Sequence, residues 1–209
     1  KADADVFVRE VRSWAGSMEK TPVSVDVWAG GLRITGPVGD LTQGRLLRFR
    51  PSAIKGKDFL ELWIRHVLFV AAGIPGFDGS TLLGMTKGKG ETLQGYVFEK
   101  PIECQGILDS LAHLYLEGLT RPLPFFPQSS LVFCEALQNG KPMDEALKLA
   151  MKNFEGDGSD WRKGEKEDVF TGLAFRAADP VDETFDRCSR EIYEPLLAHR
   201  QSLAVGGES

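Results

Sequence analysis

Apolar and polar residues alternate near the start of the chain, in a pattern that predicts a β-hairpin. Three valines of the segment 23–29 alternate with polar residues and a tryptophan, the period-2 pattern of a strand with one buried face. The two glycines at 30–31 predict a tight turn, and residues 32–35 are predicted to return as a second strand. Glycines and a proline within 36–40 are expected to end that strand.

A third strand and a long helix follow the hairpin. The segment 45–50 reads RLLRFR and predicts a short strand that ends at Pro51, because proline has no N–H to donate to a β-ladder. Apolar residues then recur at helical spacing over 57–72, and Gly73 stands where a helix C-cap belongs. We therefore expect a mixed α/β (α+β) fold, in which a central sheet contains all three strands and the 57–72 helix packs against it.

The rest of the chain is predicted to be mainly helical. Ser129 or Ser130 is the expected N-cap of one helix, and Pro195 is expected to interrupt another. Residues 168–175 fit either a strand or a helix, and the tail 201–209 is expected to be disordered. The predicted helices cover residues 6–14, 103–119, 131–137, 142–154 and 182–199, and two further strands cover 81–86 and 92–98.

The order of strands and helix resembles the core of the PD-(D/E)XK nucleases, which have a restriction-endonuclease-like core of a small mixed sheet flanked by helices. The resemblance implies a hairpin strand with an aspartate and a next strand with an acid-x-lysine triplet, which together hold a divalent metal. Here Arg48-Phe49-Arg50 takes the place of that triplet. An arginine has only N–H donors and stays protonated, so it cannot ligate Mg²⁺. The chain combines the predicted layout of a nuclease with the wrong chemistry for its metal.

Two separated segments resemble one family more closely. The first is LLRFRPS at 46–52 with a Leu-Trp-Ile-x-His pattern at 62–66, and the second is Pro-Leu-Pro-Phe-Phe-Pro at 122–127, after Tyr115. Both resemble, in the same order, the C-terminal domain of the gamma chain of exodeoxyribonuclease V, the RecC family. The resemblance covers residues 20–200.

This resemblance implies that residues 1–209 are a single nuclease-like domain of a larger subunit. It implies a non-catalytic role, without a cofactor, as a scaffold and a contact for DNA and partners in double-strand-break repair and recombination. The implied partners are the beta and alpha chains of exodeoxyribonuclease V (RecB and RecD) and double- and single-stranded DNA. The alternative is an active metal-dependent nuclease in which Asp40 or Asp26 is a metal ligand; otherwise no metal site is expected.

The charge of the chain limits the kind of DNA contact to expect. It carries 25 basic and 30 acidic residues, a formal net charge of −5, which argues against a protein that coats DNA. Basic residues nevertheless cluster in and just after the third strand, and such a cluster is either a limited contact for nucleic acid or a solvated face. The candidate DNA-binding residues are Arg48, Arg50, Lys55, Lys57, Lys87 and Lys89, the last two in a predicted hairpin turn.

Alternation along the third strand places Arg48 and Arg50 on the same face. We expect Leu47 and Phe49, on the opposite face, to pack in the core. The arginines should then face the cleft where a nuclease holds its metal. There they either pair with acids of this chain, such as the hairpin aspartates named above, or contact DNA phosphates or an acidic partner surface.

The adjacent residues Phe125 and Phe126 also have two interpretations. They lie between prolines in a segment predicted to be extended. Such a pair either fills a gap in the core or forms an aromatic surface that a partner buries. The second interpretation makes both residues candidate partner contacts.

Other searches of the sequence exclude several function classes. No P-loop and no Gly-x-Ser-x-Gly motif occurs, and the three histidines share no metal-ligand spacing with cysteines or acids. The three cysteines form no CxxC pair and are expected to be reduced. No apolar run is long enough to cross a membrane and no signal peptide opens the chain, so a cytoplasmic location without membrane contact is expected.

Overall fold

The computed structural model describes residues 2–15, 20–86, 93–101, 103–158, 163–176 and 179–203. The chain forms two compact units. The sheet unit contains Lys1–Asp109 and His199–Ser209, and the helical unit contains Ser110–Ala198. Helices and two β-sheets together confirm the predicted mixed α/β class.

The sheet unit begins with helix α1 (Ala2–Ala15) and a long hairpin. Strands β1 (Thr21–Ala29) and β2 (Leu32–Leu41) pair antiparallel across two glycines with positive φ. Strand β2 is longer than predicted, because residues 36–40 continue the pairing across an irregularity in the register. The hairpin is a two-stranded sheet of its own, so the prediction of one sheet containing all three strands was wrong.

A tight turn separates the hairpin from the third strand. Gln43 and Gly44 have φ values of 50° and 75°, and Thr42 and Arg45 exchange backbone hydrogen bonds of 2.9 and 3.0 Å. Residues with positive φ reverse the chain direction within a few residues. The next strand therefore leaves the hairpin and enters a second sheet.

That strand, β3 (Arg45–Phe49), helix α2 (Gly56–Ala71) and strand β4 (Gly79–Met85) form a β-α-β unit with parallel strands. The helix ends as the sequence predicts. Gly73, with a φ of 59°, donates its N–H to the carbonyl of Val70 at 3.0 Å, and Ile74 donates to Phe69 at 3.2 Å. These two bonds satisfy carbonyls that the last turn would otherwise leave without a donor.

Two more strands complete a four-stranded sheet of order β3-β4-β5-β6. Strand β5 (Leu93–Phe98) pairs antiparallel with β4, and β6 (Arg200–Leu203) pairs antiparallel with β5. The prediction of a disordered tail from residue 201 was wrong for residues 201–203, because the open edge of β5 provides their pairing partner. The remainder of that tail, 204–209, lies outside the described residues.

Helices cover both faces of this sheet. On one face Phe7 and Val11 of α1 cluster with Leu83 of β4, so the first helix packs beside the sheet. On the other face the Trp63 ring of α2 lies 5.7 Å from the ring of Phe98, measured between centroids. Every residue of β4 is buried, as expected for a strand covered on both sides.

The helical unit is built around aromatic side chains. Phe126 packs against the rings of Phe154, Phe175 and Phe185 at centroid distances of 4.5, 5.3 and 6.2 Å. The helices that carry or border this cluster are α3 (Cys104–Gly118, from Ser110 onward), α4 (Pro127–Gln138), α5 (Met143–Glu155), α6 (Val169–Ala174) and α7 (Glu183–His199, up to Ala198).

Two details of these helices differ from the sequence prediction. Helix α4 begins at Pro127, so Ser129 and Ser130 lie inside its first turn and neither is the N-cap. Helix α7 continues through Pro195 without a break. Its buried residues on both sides of the proline, Tyr193 and Leu196 among them, supply packing that outweighs the loss of one backbone hydrogen bond.

Candidate functional site

Strand β3 and helix α2 bring two arginines to the carboxylates of the helix. Arg48 projects from β3, and Arg50 follows the strand with its N–H bonded to the carbonyl of Leu83 at 2.9 Å. Both side chains extend toward the first two turns of α2, where Asp58 and Glu61 lie. The arginines share a face, as alternation predicts.

Asp58 is the buried acid of this network, with a side chain only 3% exposed. It lies at the third position of α2 and accepts the N–H of Lys55, the N-cap residue, at 2.9 Å. Arg50 donates to its carboxylate at 3.2 Å, and an Arg48 nitrogen lies 3.8 Å away. A buried carboxylate requires compensating charge and hydrogen bonds, and these three residues provide them.

Glu61 is the second acid, one turn further along α2. Its carboxylate accepts from Arg48 at 2.6 Å and pairs with Arg65 at 2.9 Å. Because both guanidinium groups bind the same carboxylate oxygen, Glu61 links the strand to the exposed side of the helix. Asp58, Glu61 and the three arginines around them thus form one connected ionic network.

A cleft of about 200 Å³ opens beside this network. The sequence pointed to two of its polar residues, Asp40 from β2 and Arg48 from β3. It did not point to Lys20 or Arg65, because neither lies within the basic segment of the third strand. The spacing of Glu61 and Arg65, four residues apart on a helix, was the signal that could have found Arg65.

The arginines pair with acids of this chain, as one of the two interpretations expected, but the hairpin aspartates named as examples were wrong. Asp26 pairs with Arg33 across the exposed face of the hairpin at 2.7 Å, and the hydrogen bond from Arg33 lowers the pKa of that carboxyl group below its usual value. Asp40 lines the cleft, but the acids that bind Arg48 and Arg50 are those of α2. The hairpin forms a separate sheet, whereas α2 packs directly beside β3.

The predicted orientation of the third strand was correct only in part. Leu47 packs against the α1 cluster, but Phe49 is 48% exposed, with its ring meeting Phe7 edge-on at 6.4 Å between centroids. Leu46, on the arginine side, is buried instead. The reason is that helices cover both faces of the sheet, so the face that carries the arginines is also partly buried.

The candidate lysines differ in their surroundings. Lys55 and Lys57 are exposed at the start of α2, next to the ionic network. Lys87 and Lys89, in the predicted hairpin turn between β4 and β5, lie outside the described residues. Lys55 and Lys57 are not among the residues that line the cleft.

The two candidate partner-contact residues lie in the helical unit and have different environments. Phe126 is only 3% exposed and fills the aromatic core. Its interpretation as a partner contact was therefore wrong, and it is a core residue. Phe125 is half-buried, and its ring stacks on Tyr193 at 5.8 Å between centroids. Tyr193 donates its hydroxyl to the carbonyl of Pro127 at 2.8 Å, which fixes the start of α4.

His66 of α2 is a buried polar residue whose environment the sequence did not reveal. Its Nε2 lies 3.0 Å from the carbonyl oxygen of Glu99, which can only accept, so Nε2 carries the proton. Its Nδ1 then accepts from the Ser80 hydroxyl at 2.9 Å. Burial is the main cause that lowers the His66 pKa to about 4, so the ring is neutral near pH 7. It serves packing between α2 and the sheet.

Three properties bear on cofactors, redox chemistry and membranes. Among the residues that the structure describes, no group of three His, Cys, Asp or Glu side chains is arranged to hold a metal ion. The cysteines are free, with Cys134 and Cys188 buried and Cys104 half-buried. Within the same described ranges, no helix combines the length and apolar character needed to cross a membrane.

Comparison with known proteins points to one family. A family model described as the RecC C-terminal domain matches residues 1–138. The RecBCD enzyme subunit RecC of Escherichia coli strain K12 is 27% identical over 191 residues, 86% of this chain and 16% of that protein. The RecBCD enzyme subunit RecC of Mycolicibacterium smegmatis is 30% identical over 118 residues, 56% of this chain and 11% of that protein. The chain thus spans less than a fifth of the length of either relative.

Proposed function

Because this chain belongs to the RecC C-terminal domain family, we propose that it is a non-catalytic, nuclease-like domain in the gamma subunit of a RecBCD-type helicase–nuclease. In this role it is a scaffold and a contact for DNA and partners in double-strand-break repair and recombination. Its partners are the beta and alpha chains of that enzyme, RecB and RecD, together with double- and single-stranded DNA. The domain itself needs no cofactor.

The observation that carries the non-catalytic role is the ionic network between β3 and α2. A metal-dependent nuclease needs carboxylates with lone pairs directed at a divalent ion. Here guanidinium groups of Arg48 and Arg50 engage the carboxylates of Asp58 and Glu61. A divalent cation would have to displace fixed positive charges that stay protonated, so this donor set does not fit a metal.

The alternative, an active nuclease with Asp40 as a metal ligand, receives no support from the cleft. Asp40 shares the cleft lining with three cationic side chains, those of Lys20, Arg48 and Arg65. These charges repel Mg²⁺ rather than attract it. Arg48 and Arg65 pair with Glu61, so the exposed Lys20 contributes most to the attraction of a phosphate group, which supports a DNA contact at this edge of the sheet unit.

Exposure favours some of the candidate basic residues over others for that contact. Arg48 and Arg50 are already paired with carboxylates, so their charge is largely balanced within the chain. Lys55 and Lys57 are exposed at the beginning of α2, and neither forms an ion pair with a residue that the structure describes, so both can reach a phosphate. We assign the stronger DNA contribution to these two lysines and the weaker one to the arginines.

A nuclease assay tests the catalytic part of the proposal. The purified gamma-type subunit that contains this domain should not cut linear double-stranded or single-stranded DNA with Mg²⁺ or Mn²⁺. The assembled complex serves as the positive control for the DNA and the buffer. Metal-dependent cleavage by the subunit alone, abolished by Asp40→Ala, would overturn the non-catalytic role.

The salt dependence of DNA-end binding tests the contact. In the assembled complex, Lys55→Ala with Lys57→Ala should reduce the slope of log K against log salt by about one per lost phosphate contact, and so by up to about two. Lys148→Ala with Lys152→Ala, which removes two exposed lysines of the helical unit, is the matched control and should leave the slope unchanged. Equal slopes for all three proteins would remove the lysines from the DNA interface.

A further inference from the structure

Helix α6 exposes an unusual amount of apolar surface for its size. Val169, Phe170 and Leu173 are 78%, 81% and 64% exposed, although the helix spans only Val169–Ala174. Leu173 is four residues from Val169 and three residues from Phe170, and both spacings bring side chains together on a helix surface, so the three side chains lie within an arc of about 100°. Contiguous exposed apolar residues of this kind mark interaction surfaces.

The helix is held firmly while this face points outward. Asp168 caps it by accepting from the N–H groups of Phe170 and Thr171 at 3.1 and 3.0 Å. At its other end, the Phe175 ring packs edge-on against Phe126 in the aromatic core. The apolar face is thus presented by an ordered element, and a partner would bind it without first having to fold it.

The segment before α6 is also anchored. Glu165, in a 3₁₀ turn at Glu165–Glu167, accepts from the N–H groups of Gln128 and Ser129 at 2.9 and 2.8 Å, and from the Ser129 hydroxyl at 2.7 Å. Its carboxylate therefore caps the positively polarised start of α4. These three hydrogen bonds fix the turn, and with it the start of α6, to the start of α4.

The charge around α6 defines the chemistry of its partner. The described residues between 155 and 183 include eight acidic and three basic side chains. The whole helical unit carries 16 acidic and 10 basic residues, a net charge of −6, whereas the sheet unit carries 14 acidic and 15 basic residues. Nucleic acid and anionic lipid are repelled by such a surface. A protein surface with an apolar groove bordered by lysine or arginine is complementary to it.

A groove of about 590 Å³ lies on the other side of α6. Thr171 and Gly172 of α6 line it, with charged side chains such as Glu155, Lys166 and Arg176, whereas the three residues of the apolar face are not among its lining residues. The groove is therefore separate from the apolar face. Helix α6 lies beyond residues 1–138, the stretch that the family model matches, so family membership does not by itself assign this face.

We propose that the face of α6 formed by Val169, Phe170 and Leu173 is a docking site for a protein chain with an apolar groove bordered by basic side chains. Resting on the function proposed above, that chain is one of the other two subunits of the RecBCD-type complex. Docking buries the apolar face, and the surrounding acids orient the incoming basic border.

Co-expression of the full gamma-type subunit with its beta-type and alpha-type partners tests this. Phe170→Ser with Leu173→Ser should weaken the binding of one partner by about tenfold or more while the other partner stays bound. The matched control is Tyr115→Ser with Leu119→Ser, which removes two exposed apolar side chains elsewhere in the helical unit and should leave assembly unchanged. Circular dichroism of each subunit verifies that all variants are folded.

A third variant tests the electrostatic part. Glu167→Gln removes a charge but still accepts from the N–H of Gly164, a bond of 2.9 Å. It should weaken the same partner by about two- to fivefold at low salt, with no difference at high salt. If wild-type and the variant bind with equal affinity at low salt, the partner's groove is not bordered by basic side chains that contact Glu167, and this part of the proposal is wrong.

The remaining outcomes are distinguishable. If the wild-type subunit assembles with both partners and the α6 variant assembles equally well, the docking face is refuted and the proposed function stands. If the wild-type subunit binds neither partner, the proposed function fails and this partner fails with it. If the isolated subunit forms a dimer that the α6 variant abolishes, the face belongs to a second copy of the chain, and the proposal is overturned.

Discussion

The sheet unit and the helical unit differ in the polar side chains that they bury. In the sheet unit, polar side chains such as Asp58, His66 and Ser80 lie inside and bind one another or the backbone. In the helical unit, the buried polar residues among those that the structure describes are the serines Ser129, Ser130 and Ser189, and the largest aromatic cluster surrounds Phe126. The net charges differ as well, +1 for the sheet unit and −6 for the helical unit.

This difference indicates how each unit responds to its surroundings. Ionic networks and buried histidines respond to pH and salt, because protonation or screening changes their free energy. Aromatic cores respond mainly to the loss of volume, since van der Waals contacts and apolar burial depend weakly on either condition. The following predictions test whether the two units respond differently to pH, salt and side-chain truncation.

The largest effect is expected from Phe126→Ala in the helical unit. Truncation of a buried phenylalanine removes three ring contacts and leaves a cavity, which should lower the free energy of unfolding by about 3–5 kcal/mol. Hydrogen–deuterium exchange should accelerate in peptides of 110–198 and not in those of the sheet. Phe125→Ala, at a half-buried position, is the control with a smaller effect; equal losses would contradict the assignment of Phe126 to the core.

The next effect concerns His66 and pH. Its pKa is about 4 in the folded chain and about 6.5 when unfolded, so the unfolded chain takes up a proton first as the pH falls. The stability due to neutral His66 is complete above pH 6.5 and is lost between pH 6.5 and 4, by about 3 kcal/mol. Urea unfolding across this range should show a steeper decline for wild-type than for His66→Gln. Parallel curves would show that this histidine is not the titrating group.

A smaller effect is expected in the ionic network. Asp58→Asn keeps an acceptor for the Lys55 N–H but leaves Arg48 and Arg50 without their buried counter-charge, so we expect a loss of about 2 kcal/mol. Glu61→Gln, whose side chain is 40% exposed, should cost less than about 1 kcal/mol. Thermal melts at low and high salt measure both. A larger loss of stability for Glu61→Gln than for Asp58→Asn would show that Glu61, beside the cleft, stabilises the network more than the buried Asp58 does.

The smallest effect is expected at α6. Phe170→Ser should change the free energy of unfolding by no more than about 0.5 kcal/mol, because its side chain is exposed and leaves the core unchanged. Urea denaturation measures this. A loss above about 1 kcal/mol would mean that the ring stabilises the helical unit itself, and the contrast with Phe126 would no longer hold.

Elements with a strong local pattern were predictable from the sequence. The valine alternation of β1, the helical spacing of α2 and the glycine that follows its C-cap are local signals, each of which depends on nearby residues. Pairing between strands that are distant in the sequence was harder to predict. The separation of the hairpin from the main sheet depends on the turn at Gln43 and Gly44, and strand β6 has only four residues.

The candidate site shows the same division. Alternation correctly placed Arg48 and Arg50 on one face, which is a local property. Their partners Asp58 and Glu61 come from the following helix, and the sequence does not state how that helix is rotated against the strand. Phe49 remained half-exposed for a related reason, since the extent of coverage by α1 is a tertiary property. The ambiguity at 168–175 was resolved as a helix by the Asp168 cap.

Strand β6 determines when the outer edge of strand β5 becomes paired during synthesis of the chain. Phe98 at the end of β5 pairs with Arg200, and Glu99 accepts a hydrogen bond from Gln201, 102 residues further along. A ribosome adds about 5–20 residues per second, so the outer edge of β5 waits about 5–20 s for its neighbour. During that interval a row of backbone donors and acceptors is open to strands of other nascent chains. We expect premature termination shortly before residue 200 to yield an aggregating product, even though most of the sheet unit has by then been made.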